Sequence, residues 1–214
     1  MGRVNGSLIP LGRPRPERAD AVRNRELLLA TVREMMADGG ACSVTMDALA
    51  ERAGLGKGTV FRRFGTRAGI FRALLDAEDR AFQERVLYGP PPLGPGAPAL
   101  DRMVAYGKAR IAFLLDHHGV ARAALDRNQP VPAGPASITR VHLRVLLGQA
   151  EAELPDLDSL AVQLTGALEG PLLLFLATPE TDRPLSSAEG RPLADSWSIL
   201  VHRLLSAPPD RGTG

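Results

Sequence analysis

Residues 44–75 read VTMDALAERAGLGKGTVFRRFGTRAGIFRALL, and this stretch leaves the chain few choices of fold. Leu49, Ala53 and Leu55 form an apolar stripe that turns at Gly54-Leu55-Gly56, and Val60, Phe61 and Phe64 start a second stripe at helical spacing. Two short helices therefore meet at a glycine turn. Ala50 is small enough for steeply crossed helices to approach closely, and Gly54 supplies the positive φ such a turn requires. From position 55 to position 75 there are five basic residues, Lys57, Arg62, Arg63, Arg67 and Arg72, and no acidic one. A helix-turn-helix with a positive strip along its second helix is suited to DNA phosphate.

In such a unit the second helix enters the major groove, so Lys57, Gly58, Thr59, Arg62 and Arg63 should be exposed while Val60 and Phe64 point inward. Gly58 lets the backbone come close. Thr59 offers a methyl to thymine or a hydroxyl to any base, and Arg62 has the fork that reads guanine. Lys57 and Arg67 are assigned to phosphates, helped by the amides at the start of the following helix.

Thr45 with Met46-Asp47-Ala48-Leu49-Ala50, then 53–64 (AGLGKGTVFRRF), then Arg67, resemble the DNA-binding segment of the TetR family of bacterial transcriptional regulators. The likeness is ordered over about three helices, covers roughly residues 22–86, and is not recognisable beyond them. It implies an all-α fold in which an N-terminal three-helix helix-turn-helix DNA-binding domain is joined to a C-terminal antiparallel helical domain for ligand binding and dimerisation. It also implies a homodimer, a palindromic operator in double-stranded DNA, and release of a repressor by a small-molecule effector. Thr45, besides capping its helix, is implied to touch a phosphate, and Phe61 is carried over as a DNA-contacting position. Three positions depart from the family pattern. Gly56 replaces the usual capping Ser or Thr, Phe61 replaces Tyr and so lacks a phenolic donor, and Arg63 replaces a common His with a permanent charge.

With 214 residues, 44% of them apolar, the chain can bury one large core or two small ones. A formal charge of +2 does not announce a nucleic-acid binder, so the case rests on where the charges sit. The single Cys42 excludes an intramolecular disulfide and a multi-cysteine zinc site, which suits a reducing cytoplasm; it reads as an inert helix-end residue. No signal-peptide pattern is expected at the start, where Arg3, Arg13, Arg15 and Arg18 alternate with prolines. The longest apolar run, 172–177, is far below the ~20 residues that span a bilayer. A cytoplasmic protein without a membrane partner is the expectation.

Residues 1–18 read as a flexible basic arm, either a disordered leader or a strand laid along the minor groove. Residues 19–88 form the expected DNA-binding domain. Its first helix spans 20–38, with Leu28, Val32, Met35 and Met36 inward and Gly39-Gly40 ending it. The second is capped by Thr45 and the fourth, starting at Arg67, by Thr66; Ile70, Phe71, Leu74, Leu75 and Phe82 form the buried face of the fourth. Phe61, Phe64, Phe71 and Phe82 are expected in the small domain's core. Residues 89–98 (GPPPLGPGAP) can hold no helix and mark the domain boundary or a long loop beside it. An effector-binding and dimerisation domain at 99–206 follows, with helices near 99–118, 120–127, 137–153, 158–177 and 193–206, and a disordered tail at 207–214. Gly170-Pro171 should kink or split the fourth of these.

The helices at 158–177 and 193–206 are candidates for a four-helix dimer seam built on Leu160, Leu164, Leu168, Leu172, Trp197, Leu200, Val201 and Leu204. The pattern alone equally allows them to fill the subunit's own core; the resemblance favours the seam. It also places Tyr106, Arg110, Phe113, His117, His142 and Gln163 on the helices that surround an effector cavity. His117, His118, His142 and His202 lack metal-ligand spacing, and no cofactor is expected. No catalytic constellation appears. Gly56-Lys57-Gly58-Thr59 fails as a phosphate loop, with Glu51 where its first Gly belongs and Gly58 where a Ser or Thr must follow the Lys. The rival reading is a helical scaffold that does not read DNA.

Overall fold

The computed structural model describes residues 16–125, 138–150, 152, 154–177 and 187–206. Among them lie nine helices and no strand, so the fold is all-α. The chain divides into two compact units, Met1–Ile70 and Phe71–Gly214. The division falls inside a helix and not at the proline-rich stretch 89–98, because that stretch is itself folded into the second unit. There Leu93 packs on the core and the amide of Gly94 bonds the carbonyl of Pro90 at 3.0 Å.

In the first unit, α1 (Pro16–Ser43) buries Leu28, Leu29, Val32 and Met35. It begins inside the expected arm, so residues 16–18 are helical; the rest of the arm and the 207–214 tail lie outside the described residues. It also does not stop at Asp38. Gly40, at φ +66°, kinks it, and a further turn follows in which the Ser43 hydroxyl lies 2.8 Å from the carbonyls of both Met35 and Gly40. Thr45 caps α2 (Met46–Arg52) by accepting from the Ala48 amide at 3.1 Å. The helix ends in a Schellman motif, with Leu55 N–H on Ala50 O at 3.0 Å and Gly54 N–H on Glu51 O at 3.1 Å, and Gly54 takes φ +65° as the turn demands. α3 (Lys57–Phe64) packs Val60 and Phe64 inward and is stopped by Gly65 at φ +70°. α4 (Arg67–Tyr88) is capped by Thr66, whose hydroxyl accepts from the Gly69 amide at 3.0 Å.

The second unit is organised on α5 (Ala99–Asp116), against which α7 (Ile138–Gln149), α8 (Leu157–Ala177) and α9 (Ser187–Leu205) pack; the short α6 (His118–Ala124) follows α5 directly. Its core joins Phe82 and Val86 of α4 to Met103, Tyr106, Ile111, Leu115, Leu143, Leu146, Leu147, Ala161, Leu164, Leu168, Trp197 and Val201. Phe82 therefore belongs to this core and not to that of the DNA-binding unit. α8 runs through Pro171 without a break. The proline removes one bond, to the carbonyl of Ala167, and Ala167 is exposed, so that carbonyl is not stranded in the core. α9 likewise contains Pro192 and starts six residues earlier than its apolar repeat, while α7 stops at Gln149, short of position 153.

The expected seam residues are distributed differently. Leu164, Leu168, Trp197 and Val201 are buried in the subunit, and Leu160 and Leu204 pack partly buried beside them. Leu172 lines a cavity, and only Leu200 is exposed. The stripe that looked like a seam is the face α8 and α9 turn toward their own neighbours; their outward faces carry Val162, Leu173, Ile199 and Leu200.

Candidate nucleic-acid interface and effector cavity

The outward face of α3 is polar and basic because its apolar residues are spent inside. Val60 is fully buried and Phe64 nearly so, which leaves Lys57, Gly58, Arg62 and Arg63 exposed and Thr59 half-buried. Phe61, expected in the core, is instead 53% exposed and lies on this same face. Gly56 offers no side chain to the first amides of the helix, so they remain open to an incoming anion. A Cβ at Gly56 or Gly58 would meet nothing within 4 Å, so neither glycine is there to relieve packing inside the unit.

Each basic side chain already has company. Lys57 Nζ lies 2.9 Å from Asp47 Oδ1, both well exposed, and Arg62 Nη2 lies 3.4 Å from Thr59 Oγ1. Arg63 donates to the Ala21 carbonyl and ties α3 to α1. Arg67, assigned from sequence to phosphate, donates through Nε to Val44 O at 2.7 Å and through Nη2 to Ala41 O at 2.6 Å. Its guanidinium braces the segment between α1 and α2 from the start of α4. Thr45, exposed, accepts through its oxygen in the cap, and its own O–H remains a donor.

Within the second unit, a cavity of about 300 Å³ is lined by Leu75, Asp76, Asp79, Arg110, Phe113, Leu114, His117, Ala121, Ile138 and Leu172. Arg110 is only 11% exposed; it donates to Asp79 at 2.7 Å and to Glu169 at 3.3 Å, and its Cζ sits 5.1 Å from the ring centroid of Phe113. The His117 ring stacks on Phe113 with centroids 4.3 Å apart, its Nδ1 lies 2.8 Å from the Phe113 carbonyl, and Nε2 is 3.8 Å from Glu78.

Tyr106 and His142 line a separate small cavity of about 40 Å³ with Phe82 and Ile138. The buried Tyr106 hydroxyl donates to Thr139 at 3.1 Å; burial raises its pKa, and that hydrogen bond offsets part of the rise. His142 stacks on Tyr106 at 4.6 Å, and burial, with the nearby Arg102 charge, lowers its pKa to about 4. Gln163 is exposed on α8 and lines neither cavity. Of the six residues picked from sequence, Arg110, Phe113 and His117 therefore share one cavity, Tyr106 and His142 another, and Gln163 none.

Residues 28–74 match the family model of bacterial regulatory proteins of the tetR family. The chain carries a TetR-family DNA-binding domain. Solved structures similar to the chain include a TetR-like transcriptional regulator from Rhodococcus sp. RHA1, at 21% identity, covering 86% of this chain and 97% of that one with a TM-score of 0.52. A TetR family transcriptional regulator from Pseudomonas syringae pv. tomato str. DC3000 is similar at 17% identity over 83% of this chain and 94% of that one, with a TM-score of 0.53. At such identities the likeness speaks to the fold. No curated protein matches the chain. The match over this domain supports a DNA-binding regulator, and among the described residues no helix is long and apolar enough to cross a membrane.

In this TetR-family domain, the sequence reading passed over the partners of the basic residues. Asp47 stands in the first turn of α2, about two turns before the glycine corner, and reaches Lys57 across it. In the second unit the carboxylates of Asp76, Asp79 and Glu169 went unremarked; Asp76 and Asp79 share one face of α4 at i, i+3, a signal available in the sequence.

Proposed function

We propose that the chain is a homodimeric repressor that holds a palindromic operator through two α3 faces and lets go when a small molecule occupies the 300 Å³ cavity. The observation that carries this reading is α3 itself, which buries Val60 and Phe64 and turns Lys57, Gly58, Thr59, Phe61 and Arg62 outward from an uncapped N-terminus. Arg62 and Thr59 read base edges, the exposed Phe61 ring meets a thymine methyl or sugar, and Lys57 and the Thr45 hydroxyl hold phosphates. Arg63 and Arg67 set the geometry of the helices from behind.

Dimerisation is supported by the outward faces of α8 and α9 rather than by the buried leucines. On α8, Val162, Gly166, Ala167 and Leu173 are exposed, and on α9 Ile199 and Leu200; the small residues permit close helix approach in a four-helix seam. Half-sites then lie about one helical turn, ~34–36 Å, or a related spacing apart.

Mobility-shift titration of the full chain on genomic fragments, including the region upstream of its own gene, tests the reading. Sequence-selective retardation by two chains per site, falling steeply with salt, is the expected result. Intact dimers that retard nothing selectively would instead favour a helical scaffold.

A further inference from the structure

The His117 ring stands in the wall of the 300 Å³ cavity and is locked there by the end of α5. Its Nδ1 lies 2.8 Å from the Phe113 carbonyl, which also accepts the His117 backbone amide at 3.1 Å, and the ring stacks on that of Phe113 with centroids 4.3 Å apart. A carbonyl oxygen can only accept, so Nδ1 carries the proton, and in the neutral imidazole Nε2 is a bare acceptor. Among the described residues no hydrogen bond reaches Nε2; the Glu78 carboxylate, at 3.8 Å, is beyond hydrogen-bond reach and has further partners of its own. The other polar side chains of the wall are spoken for or wet. Arg110 is turned onto Asp79 and Glu169, each Asp79 oxygen already accepts one bond, from Arg110 or from Gln83, and Asp76 is exposed, where water competes for it. His117, its side chain 24% exposed, is therefore the acceptor a ligand meets away from bulk water, beside the apolar Leu75, Leu114, Ile138 and Leu172.

We propose that this cavity selects a neutral phenol: the hydroxyl donates to Nε2 of His117, and the apolar body lies against the leucines and Ile138. The acceptor is in place before the ligand arrives, so the hydrogen bond forms without ordering a side chain. A ligand of the same shape that lacks the donor covers Nε2 and leaves it unpaired, which a site of this kind rejects. A phenolic O–H, with a pKa near ~10, stays un-ionised at neutral pH and keeps its proton to donate. A carboxylate brings no donor and meets Asp79 and Asp76 instead. The inference rests on reading the cavity as the effector site, but the hydrogen bond can be measured without DNA.

Two probes of nearly one shape isolate the donor: 4-propylphenol and its methyl ether, 4-propylanisole, titrated calorimetrically into the full chain at neutral pH. The phenol should bind about tenfold more tightly, and equally so at low and high salt, because no charge is involved. His117→Phe keeps a ring on Phe113 and removes the acceptor. It should bring the phenol down to the affinity of the ether while leaving ether binding unchanged, which also reports that the cavity is intact. The native chain gives a second readout that needs no variant: by imidazole nitrogen NMR, the phenol and not the ether should shift the Nε2 resonance of His117, with the proton on Nδ1 throughout. Binding of neither probe to the native chain, equal affinities, a phenol preference that survives His117→Phe, or an Nε2 that is protonated or indifferent to the phenol would each overturn the inference. Operator retardation followed in parallel keeps the two readings apart. Phenol that binds through His117 without releasing DNA removes the effector role and retains the hydrogen-bond selectivity; phenol and ether that release DNA equally do the reverse.

Discussion

Trp197 and Gly107 occupy one piece of space: a Cβ on Gly107 would lie 1.9 Å from Nε1 of the indole and 2.1 Å from its Cε2. The same Nε1 donates to the Met103 carbonyl at 3.0 Å, so the ring of α9 is clamped on α5 by a hydrogen bond and a missing side chain together. Gly107→Ala must push the indole off its acceptor. A loss of about 1–3 kcal/mol is expected from overpacking, with the broken buried hydrogen bond adding about 1 kcal/mol. Urea unfolding followed by the fluorescence of Trp197, the only tryptophan, measures it. An unchanged midpoint would mean that α9 can shift away from α5 at no cost.

That contact shows where sequence reading ends. The helix-turn-helix was legible because its determinants are local: Gly54 at a positive φ, Thr45 and Thr66 as caps, and Val60 and Phe64 one turn apart all act within a few residues. The second unit depends on pairs such as Gly107 with Trp197 and Arg110 with Glu169, which are distant along the chain. An apolar stripe on α8 says that Leu164 and Leu168 are buried but not by what, and so a subunit core was read as a dimer seam. The prolines misled for a related reason. Pro171 and Pro192 are exposed or half-buried, where a missing amide costs least, and the helices continue through both.

Arg67 is a charge with partners inside its own unit. Its two hydrogen bonds to the Val44 and Ala41 carbonyls hold the residues that carry the Thr45 cap. Arg67→Ala should lower the stability of the full chain by about 1–2 kcal/mol, discounted for partial exposure, and weaken operator binding by misplacing Thr45. The salt dependence of binding should hardly change, because no phosphate contact is lost. Arg67→Lys keeps the charge but not the two-pronged donor and should recover little. A salt slope reduced by about one unit with stability intact would return Arg67 to the phosphate contacts.

His142 gives a pH signature. Burial and the Arg102 charge depress its folded pKa to about 4 from the ordinary 6.5. Between those values the unfolded chain takes up a proton that the folded chain refuses, so its contribution to stability is complete above pH 6.5 and is lost as pH falls toward 4. His142→Phe keeps a ring against Tyr106 and removes the titration. Relative to the variant, the native chain should lose about 1 kcal/mol between pH 7.5 and pH 5, discounted for a ring that solvent partly reaches. Parallel stability curves for the two proteins across this range would show that the imidazole is protonated in place.

On the DNA face, Lys57 is held 2.9 Å from Asp47 before any phosphate arrives, and the two groups are equally exposed at 66%. Binding therefore exchanges one partner for another, and the carboxylate repels the phosphate that takes its place. Lys57→Ala should weaken binding to every DNA sequence and lower the salt slope by about one unit. Asp47→Asn should act in the opposite direction, tightening both operator and non-specific binding several-fold at low salt, with the gain fading as the Debye length shrinks toward ~3 Å at 1 M. It should cost a few tenths of a kcal/mol in stability, since Asp47 also complements the α2 dipole. Combining the two substitutions in a double-mutant cycle isolates their coupling; if Asp47→Asn weakens DNA binding even with Lys57 present, the carboxylate orients the ammonium for its phosphate rather than competing with it.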